Sequence, residues 1–431
     1  MCDMRESGIA WVGLMPAEWK IKRGKFVLKL LNRPIKETDD IITCFGDGEV
    51  TLRKNRRTDG FTVSIMETGY QGIEPGDLVI HGMDGFAGSI GISNSRGKSS
   101  PVLVVCDSEE NKKYIMYYLR SMAYHDVFTA LSAGVRVRSC DLRWNKLAEL
   151  PYILPSIQEQ EKIVDAIDSC TAKVDALIEN VQAQIEKLKV YRQGLITEVI
   201  TKGLDPAVPM RDSGVEWIGA IADTRTVLRL KYLLNSPMQY GANESGDKFS
   251  EGSVRHIRIT DITADGKLKD DEKNQYLPIS VAEQYILKDK DVLFARSGGT
   301  VGKSFLYHED YGASSFARYL VKAECDKASL LPKYLIYYTQ SSLYEIWKNM
   351  IFIQATIRNI SANKYSNMEI PVPSVEEQAS IIEYLDEKCS RVDRLIAIKQ
   401  SKIKKLEQYK RSLIYEYVTG KNEVVPKGLS E

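Results

Sequence analysis

The chain is written twice, and any fold proposed for it must be built from two copies of one unit. SGIAWVG at Ser7 to Gly13 returns as SGVEWIG at Ser213 to Gly219. LPSIQEQEKIVDAID from Leu154 returns as VPSVEEQASIIEYLD from Val372. Self-similarity over such distances marks a repeated architecture. The offset is 206 residues at the first motif and 218 at the second, so the second copy carries about twelve extra residues, which belong in loops. Each half has the order short Trp motif, variable domain, long helix.

The helices are explicit. Val164, Ile167, Val174, Ile178, Val181, Ile185, Leu188, Leu195 and Val199 follow a 4-3 alternation broken at Thr171 and Arg192. Shifted by 218, the second reads Ile382, Leu385, Cys389, Val392, Ile396, Ile403, Leu406, Leu413 and Tyr417, broken at Lys399 and Lys410. An apolar period of about 3.5 held over five heptads predicts a left-handed coiled coil. Pro155-Ser156 and Pro373-Ser374, each with Glu three residues after the Ser (Glu159, Glu377), predict capping boxes at both starts. A helix from Ser156 to Thr201 spans roughly 69 Å at 1.5 Å per residue. In a parallel pair the link of about twenty residues to the second variable domain would have to return that distance almost fully extended, so the pair is expected to be antiparallel, with one head at each end of a pseudo-twofold rod. The expected fold class is α+β, with two mixed α/β heads at 1–154 and 204–371 and spacer helices at 155–203 and 372–421.

Composition is that of an ordinary globular protein: 431 residues, 43% hydrophobic and 27% charged. No run approaches the roughly 18 apolar residues of a membrane span, so no membrane partner and a cytoplasmic location are expected. Seven cysteines are scattered without C-x-x-C spacing, which reads as reduced structural thiols rather than a zinc site. The net charge of +1 gives no general affinity for nucleic acid, and any basic surface must be local.

RSGGTVGKS at Arg296 to Ser304 nearly spells a phosphate loop, but the glycine spacing is one residue short and the following FLYHEDYGASSF has no helical period. The first half supplies a control. DLVIHGMDGFAGSIG from Asp77 aligns on DVLFARSGGTVGKSF from Asp291 without a gap, with Gly88 on Gly302 and Ser89 on Lys303. The shared element is therefore expected to be a strand, a glycine-bearing tip and a second strand.

Basic residues gather near predicted loops: Arg53, Lys54, Arg56 and Arg57, then Arg136 and Arg138, in the first head, and Arg296, Lys303, Arg318 and Arg358 in the second. Such loops suit phosphate contacts and reading of guanine edges; a solvated charged loop is the alternative for each cluster. The catalytic inventory is thin. No [ND]-P-P-[YFW] motif occurs, FGDG at Phe45 to Gly48 lacks the context of a cofactor loop, and His81, His125, His256 and His308 have no evident nucleophile partner in sequence. The triplet Glu110, Asn111, Lys112 matches a fragment of a metal-dependent nuclease site, a weak signal in a chain this charged.

The doubled plan, the P-S-x-x-E-Q start of each long helix, GDLVIHGMDGFAGSIGIS with GVRVRSCDLRW in the first half, and VRHIRITDI with DVLFARSGGTVGKS and QATIRNIS in the second, together resemble the DNA specificity subunit of type I restriction-modification systems. The resemblance implies two target recognition domains, each reading one half of a split site in double-stranded DNA, and a helical spacer, with Val174, Ile178, Val181, Ile185, Leu188, Val392, Ile396, Ile403 and Leu406 in its seam. It further implies docking of two methyltransferase subunits, restriction subunits joining through the complex, and no cofactor, metal or catalysis in this chain. The competing reading is a free-standing nuclease or nucleic-acid adaptor on the same two heads.

Overall fold

The computed structural model describes residues 3–56, 67–130, 142–263, 266–269, 273–353 and 358–422. The chain divides into two compact units, Met1–Gln182 with Ser401–Glu431, and Ala183–Gln400. Each holds one head and one stretch of each long helix. The helices run over Ile157–Lys202 and Val375–Val418, 46 and 44 residues, and lie one to three residues inside the expected bounds at each end.

In the first unit the Trp motif closes a hairpin of Met4–Glu6 and Leu14–Pro16. Gly8 and Gly13 take φ values of +69° and +68° there, a left-handed backbone that only glycine adopts without strain. Next, Lys20–Arg23 pairs antiparallel with Pro151–Leu154, the strand leading into the first long helix. An antiparallel sheet then runs in the order Lys29–Leu30, Leu103–Asp107, Leu78–His81, Ile90–Ile92. The core gathers Leu78, Ile80 and Ile90 of this sheet, Tyr114 and Tyr118 of the helix Lys112–Tyr124, and Ile163, Ile167, Ile414 and Val418 of the long helices.

The second unit repeats the plan. A hairpin of Met210–Asp212 and Ala220–Ala222 carries the second Trp motif, and Thr226–Arg229 pairs with Glu369–Val372. The matching sheet runs Gln239–Tyr240, Leu320–Ala323, Val292–Ala295, Ser304–Leu306. The Gly-bearing segment is thus a strand, a tip and a strand in both heads, as its alignment predicts. This head adds a three-stranded sheet, Tyr276–Pro278, Ser253–Ile257, Ser314–Phe316, whose last pair is parallel.

Within each unit the helices lie antiparallel. In the first, Ile163 and Ile167 share a core with Val418 and Ile414, and Lys410 reaches Asp175 at 2.7 Å. In the second, Ile196 and Ile200 meet Leu385 and Ile381, Arg192 reaches Asp393 at 3.0 Å, and Lys399 donates to Gln184. Three of the four breaks in the apolar seam are therefore polar contacts across it; the fourth, Thr171, turns its hydroxyl back to Asp168 O. Val174, Val181, Ile185 and Val392 are buried, and Ile178, Leu188, Ile396, Ile403 and Leu406 half-buried. Full burial of such an aliphatic side chain contributes about 1.5–3 kcal/mol, whereas a partly exposed ion pair contributes about 0.2–1 kcal/mol. The apolar positions hold the pair together, and the polar ones restrict its register.

The helix starts carry a correction. Ser156 and Ser374 accept from the amides of Glu159 and Glu377, both at 3.3 Å, as a capping box requires. The Glu carboxylates, however, do not turn back to complete the box. Glu159 accepts from Trp19 Nε1 at 3.1 Å, and Glu377 meets Arg225 at 2.8 Å. Trp19 and Arg225 are themselves 206 residues apart, so the copies use one position for the same end with different chemistry. Arg225 is fully buried and also donates to the carbonyls of Ile200 and Val199, in the last turn of the first long helix.

The next residue holds each head to its helix. Gln160 accepts from Asn111 N and donates to Glu110 and Pro155 O; Gln378 accepts from Leu331 N and donates to Ser329 O and Pro373 O. Both are fully buried. Replacing Gln378 by Ala strands three buried polar groups, each worth about 1–3 kcal/mol when left unsatisfied, with partial recovery through solvent. A loss of about 3 kcal/mol is expected in denaturant unfolding, against a change within about 0.5 kcal/mol for the exposed Glu376→Ala.

Candidate nucleic-acid interface

A second repeated motif joins the heads to the helices. KYIMYYLR from Lys113 and KYLIYYTQ from Lys333 are 220 residues apart. Tyr114 donates to Ile153 O and Tyr334 to Pro371 O; Tyr118 donates to Pro151 O and Tyr338 to Glu369 O. The remaining Tyr and the Lys of each motif share one long-helix carboxylate: Tyr117 and Lys113 on Asp168, Tyr337 and Lys333 on Asp386. Burial pushes the phenols of Tyr114, Tyr118 and Tyr338 above the ordinary range, so they remain donors. The variable loops are therefore carried on rigid supports of the same design.

In the first head, Arg53, Lys54 and Arg56 lie on a 3-10 turn and its exit after the hairpin Ile42–Cys44/Val50–Leu52. Arg53 Nε donates to Thr43 at 3.2 Å, Lys54 pairs with Asp40, and Arg56 lies between Asp47 and Glu49 with its guanidinium 4.3 Å from the Phe45 ring centre. Neighbouring carboxylates thus offset the Lys54 and Arg56 charges. FGDG is the tip of this hairpin, with Gly48 at φ +83°. Arg57, Arg136 and Arg138 lie outside the described residues.

In the second head the three arginines singled out from the sequence lie, among the described residues, beside neutral partners. Arg296 lies over the Tyr240 ring at 4.6 Å, Arg358 over Phe352 at 5.8 Å, and Arg318 over Tyr319 at 4.7 Å while donating to Asn243 and the Tyr319 hydroxyl. Main-chain bonds bring the segments together: Arg296 N to Tyr319 O, Ile360 N to Arg296 O, and Arg318 N to Ala242 O. Each guanidinium thus lies over an aromatic ring, a pairing open to cation–π attraction that leaves donors for forked hydrogen bonding. Beside them opens a cavity of about 530 Å3 lined by Asn243, His256, Arg258, Gln275, Arg318 and Tyr319. Lys303 stands apart from this group and lines another cleft. Sequence reading missed Tyr240, Tyr319, Asn243 and Gln275; only Tyr319, next to Arg318, carried a local signal.

The groups screened for chemistry have structural work. His256 Nδ1 lies 3.0 Å from Ser315 Oγ, and that hydroxyl donates to Arg255 O. The Ser is fully buried and shut off from any substrate. Burial, with the nearby Arg258 charge adding to it, lowers the His256 pKa to about 4, Asp261 opposing. Glu110 of the acid-x-Lys triplet holds Gln160 and Lys22, and Asn111 caps the helix Lys112–Tyr124. The thiols of Cys44, Cys106 and Cys325 are buried and pushed up to about 12 by that burial. Among the described residues no helix is long and apolar enough to cross a membrane.

Two heads of one plan with unlike exposed loops, each packed on stretches of the same two helices, define a duplicated recognition scaffold. The profile of the type I restriction modification DNA specificity domain matches residues 243–408. The type I restriction enzyme MjaVIII specificity subunit of Methanocaldococcus jannaschii is 24% identical over 341 residues, 76% of this chain and 75% of its own. The EcoBI specificity subunit of Escherichia coli is 23% identical over 347 residues, 76% and 68%. The StySPI specificity subunit of Salmonella potsdam is 21% identical over 291 residues; the match spans 65% of this chain and 59% of that relative. A solved chain described under "Structural basis underlying complex assembly and conformational transition of the type I R-M system" shares the fold, with a TM-score of 0.68 over 95% of this chain and 99% of its own, at 16% identity. The chain is thus similar to the type I restriction modification DNA specificity domain over residues 243–408 and, at 21–24% identity, to type I restriction enzyme specificity subunits over most of its length.

His256 gives a pH signature. Its folded pKa lies below the ordinary His value of 6.5, so the unfolded chain binds the proton first. The stability that the neutral ring contributes is complete above about pH 6.5 and is lost as pH falls through about 4. Denaturant unfolding of His256→Gln followed from pH 7 to 4 is expected to show a flatter decline than the wild type; parallel declines would assign the acid sensitivity to other groups.

Proposed function

We propose that this chain is the DNA-reading subunit of a type I restriction-modification complex. Each head reads one half of a split, asymmetric site in double-stranded DNA, and the helix pair sets the distance between the halves. The chain directs partner methyltransferase subunits, two by the symmetry of its repeat, and through them restriction subunits, to that site. It supplies recognition, and the partners supply the chemistry. The observation that carries this reading is the contrast between conserved supports and divergent loops: the two KYxxYY anchors bond alike, while Arg56 lies among carboxylates and Arg296, Arg318 and Arg358 lie on rings and an amide. Two identical readers would give a palindromic preference, and two unlike readers on one frame give an asymmetric one. Base edges in the major groove supply the code that such side chains discriminate.

Selection of binding sites from a random duplex pool tests the reading, using the chain with its methyltransferase partner. The expected product is two short, different sequences separated by an unspecified spacer of constant length. Arg318→Ala is expected to relax one half only, by about 1–3 kcal/mol at the affected base pair, and Arg136→Ala the other half only. Loss at both halves together from either substitution would contradict the assignment of one half-site to each head.

A further inference from the structure

The near-miss phosphate motif has a second life. Lys303 and Ser304 line a cleft of about 820 Å3 in the second unit, walled by the head, by the later part of the first long helix and by the middle of the second. Among the described residues, Lys189, Arg192, Lys267, Lys303 and Lys348 line it with the carboxylates Glu345 and Asp393. Both carboxylates are taken: Asp393 by Arg192 at 3.0 Å and Glu345 by Lys348 at 2.6 Å. Lys189 and Lys303 stand outside these two pairs. Lys189 has only an exposed contact to Glu186 one turn away on its own helix. Gln193, Thr339 and Gln340 add neutral polar groups to the walls.

The repeat shows that Lys303 and Lys189 are not part of the plan the two copies share. Gly302 and Gly88 are equivalent tips, with φ of +87° and +94°, yet Lys303 stands where the first copy has the buried Ser89. On the helices the 218-residue offset puts Glu407 at the place of Lys189. Arg192, by contrast, has Lys410 as its counterpart, and both pair with an acid across the seam. The cation that pairs across the seam is kept in both copies, whereas Lys303 and Lys189 occur in one. Like charges gathered in one cleft repel each other, so their presence outside the shared plan indicates an anionic ligand.

We propose that this cleft holds backbone phosphates of the DNA beside the half-site read by the second head, so that the helix pair grips the duplex as well as spacing the heads. The inference rests on the DNA-reading function above. Lysine ammonium groups on flexible stems suit phosphate as point charges and carry no base preference. Among the described residues the lining side chains include no aromatic ring on which a free nucleotide base would stack, which favours the backbone of a polymer. Continuity with the reading surface supports the same choice: Lys303 O accepts from Ala295 N at 2.8 Å, directly across the hairpin from the residue before Arg296.

The test transplants the first copy's own residues. Full-length chain carrying Lys303→Ser, or Lys303→Ser with Lys189→Glu, is titrated with its selected duplex and with a scrambled duplex over a range of salt, and the wild type is treated alike. Each lost phosphate contact flattens the slope of log K against log[salt] by about 0.9. Slopes flatter by about 1 and about 2, with equal loss of affinity on both duplexes, are expected. An unchanged slope overturns the proposal, as does a loss confined to the selected duplex, which would make the lysines base readers. Calorimetric titration with inorganic tripolyphosphate separates the other source of the same chemistry: binding abolished by the double substitution while DNA affinity stays intact assigns the cleft to a free polyphosphate and overturns the DNA assignment. A wild-type chain that binds both duplexes equally, with slopes that still flatten in the variants, keeps the phosphate cleft and removes the sequence-reading function instead.

Discussion

A head made of short strands reads DNA reproducibly only if it cannot rock on its support. Gln160 and Gln378 supply that rigidity, each a buried amide bonded at once to its own helix start and to the head. A buried amide with every partner in place is costly to disturb, because no water waits to replace a broken bond. Around it the tyrosines of KYIMYYLR and KYLIYYTQ fasten a short helix to the strand before the long helix and to a carboxylate one face further along. Everything variable is mounted on these joints.

The long helices illustrate how a sequence balances adhesion against register. Their apolar positions bring most of the stability, and an all-apolar seam would also tolerate slippage by a heptad. Arg192 with Asp393, Lys410 with Asp175 and Lys399 with Gln184 are polar contacts made in this alignment, and a slipped one would have to replace all three. Polar residues at seam positions are thus part of the measuring function proposed for the pair. Their stabilising contribution is small, and their effect is on which alignment is populated.

Much of this was legible in the sequence because it depends on short-range periodicity and on repetition. The 3.5-residue period located both helices, and the matched Pro-Ser starts located their ends. The capping box was half right: the serine acts locally and is readable, but Glu159 and Glu377 answer to Trp19 and Arg225, partners at 140 residues or more. The glutamine beside each was overlooked because its partners also come from the head. Within the candidate interface, the positions of Arg296, Arg318 and Arg358 were readable, whereas the rings beneath Arg296 and the neutral amide at Arg318 are set by tertiary folding. The acids beside Arg56 were visible as Asp47 and Glu49 in the adjoining hairpin, and hairpin pairing alone brings them within reach.

The central claim is that paired helices measure the DNA between two half-sites. One heptad inserted into each helix beside the Gln184–Lys399 contact, after Ile185 and after Ile398, keeps the seam in phase and lengthens the pair by roughly 10.5 Å. That equals about 3 base pairs at 3.4 Å per step, with about a third of a turn of the duplex to be absorbed by twist. Site selection from a random duplex pool with the lengthened protein is the most direct measurement. The account predicts weakened binding to the original site and, among the sites recovered, a longer spacer between unchanged half-sites. An unchanged spacer bound at full affinity would show that the helices do not measure the DNA.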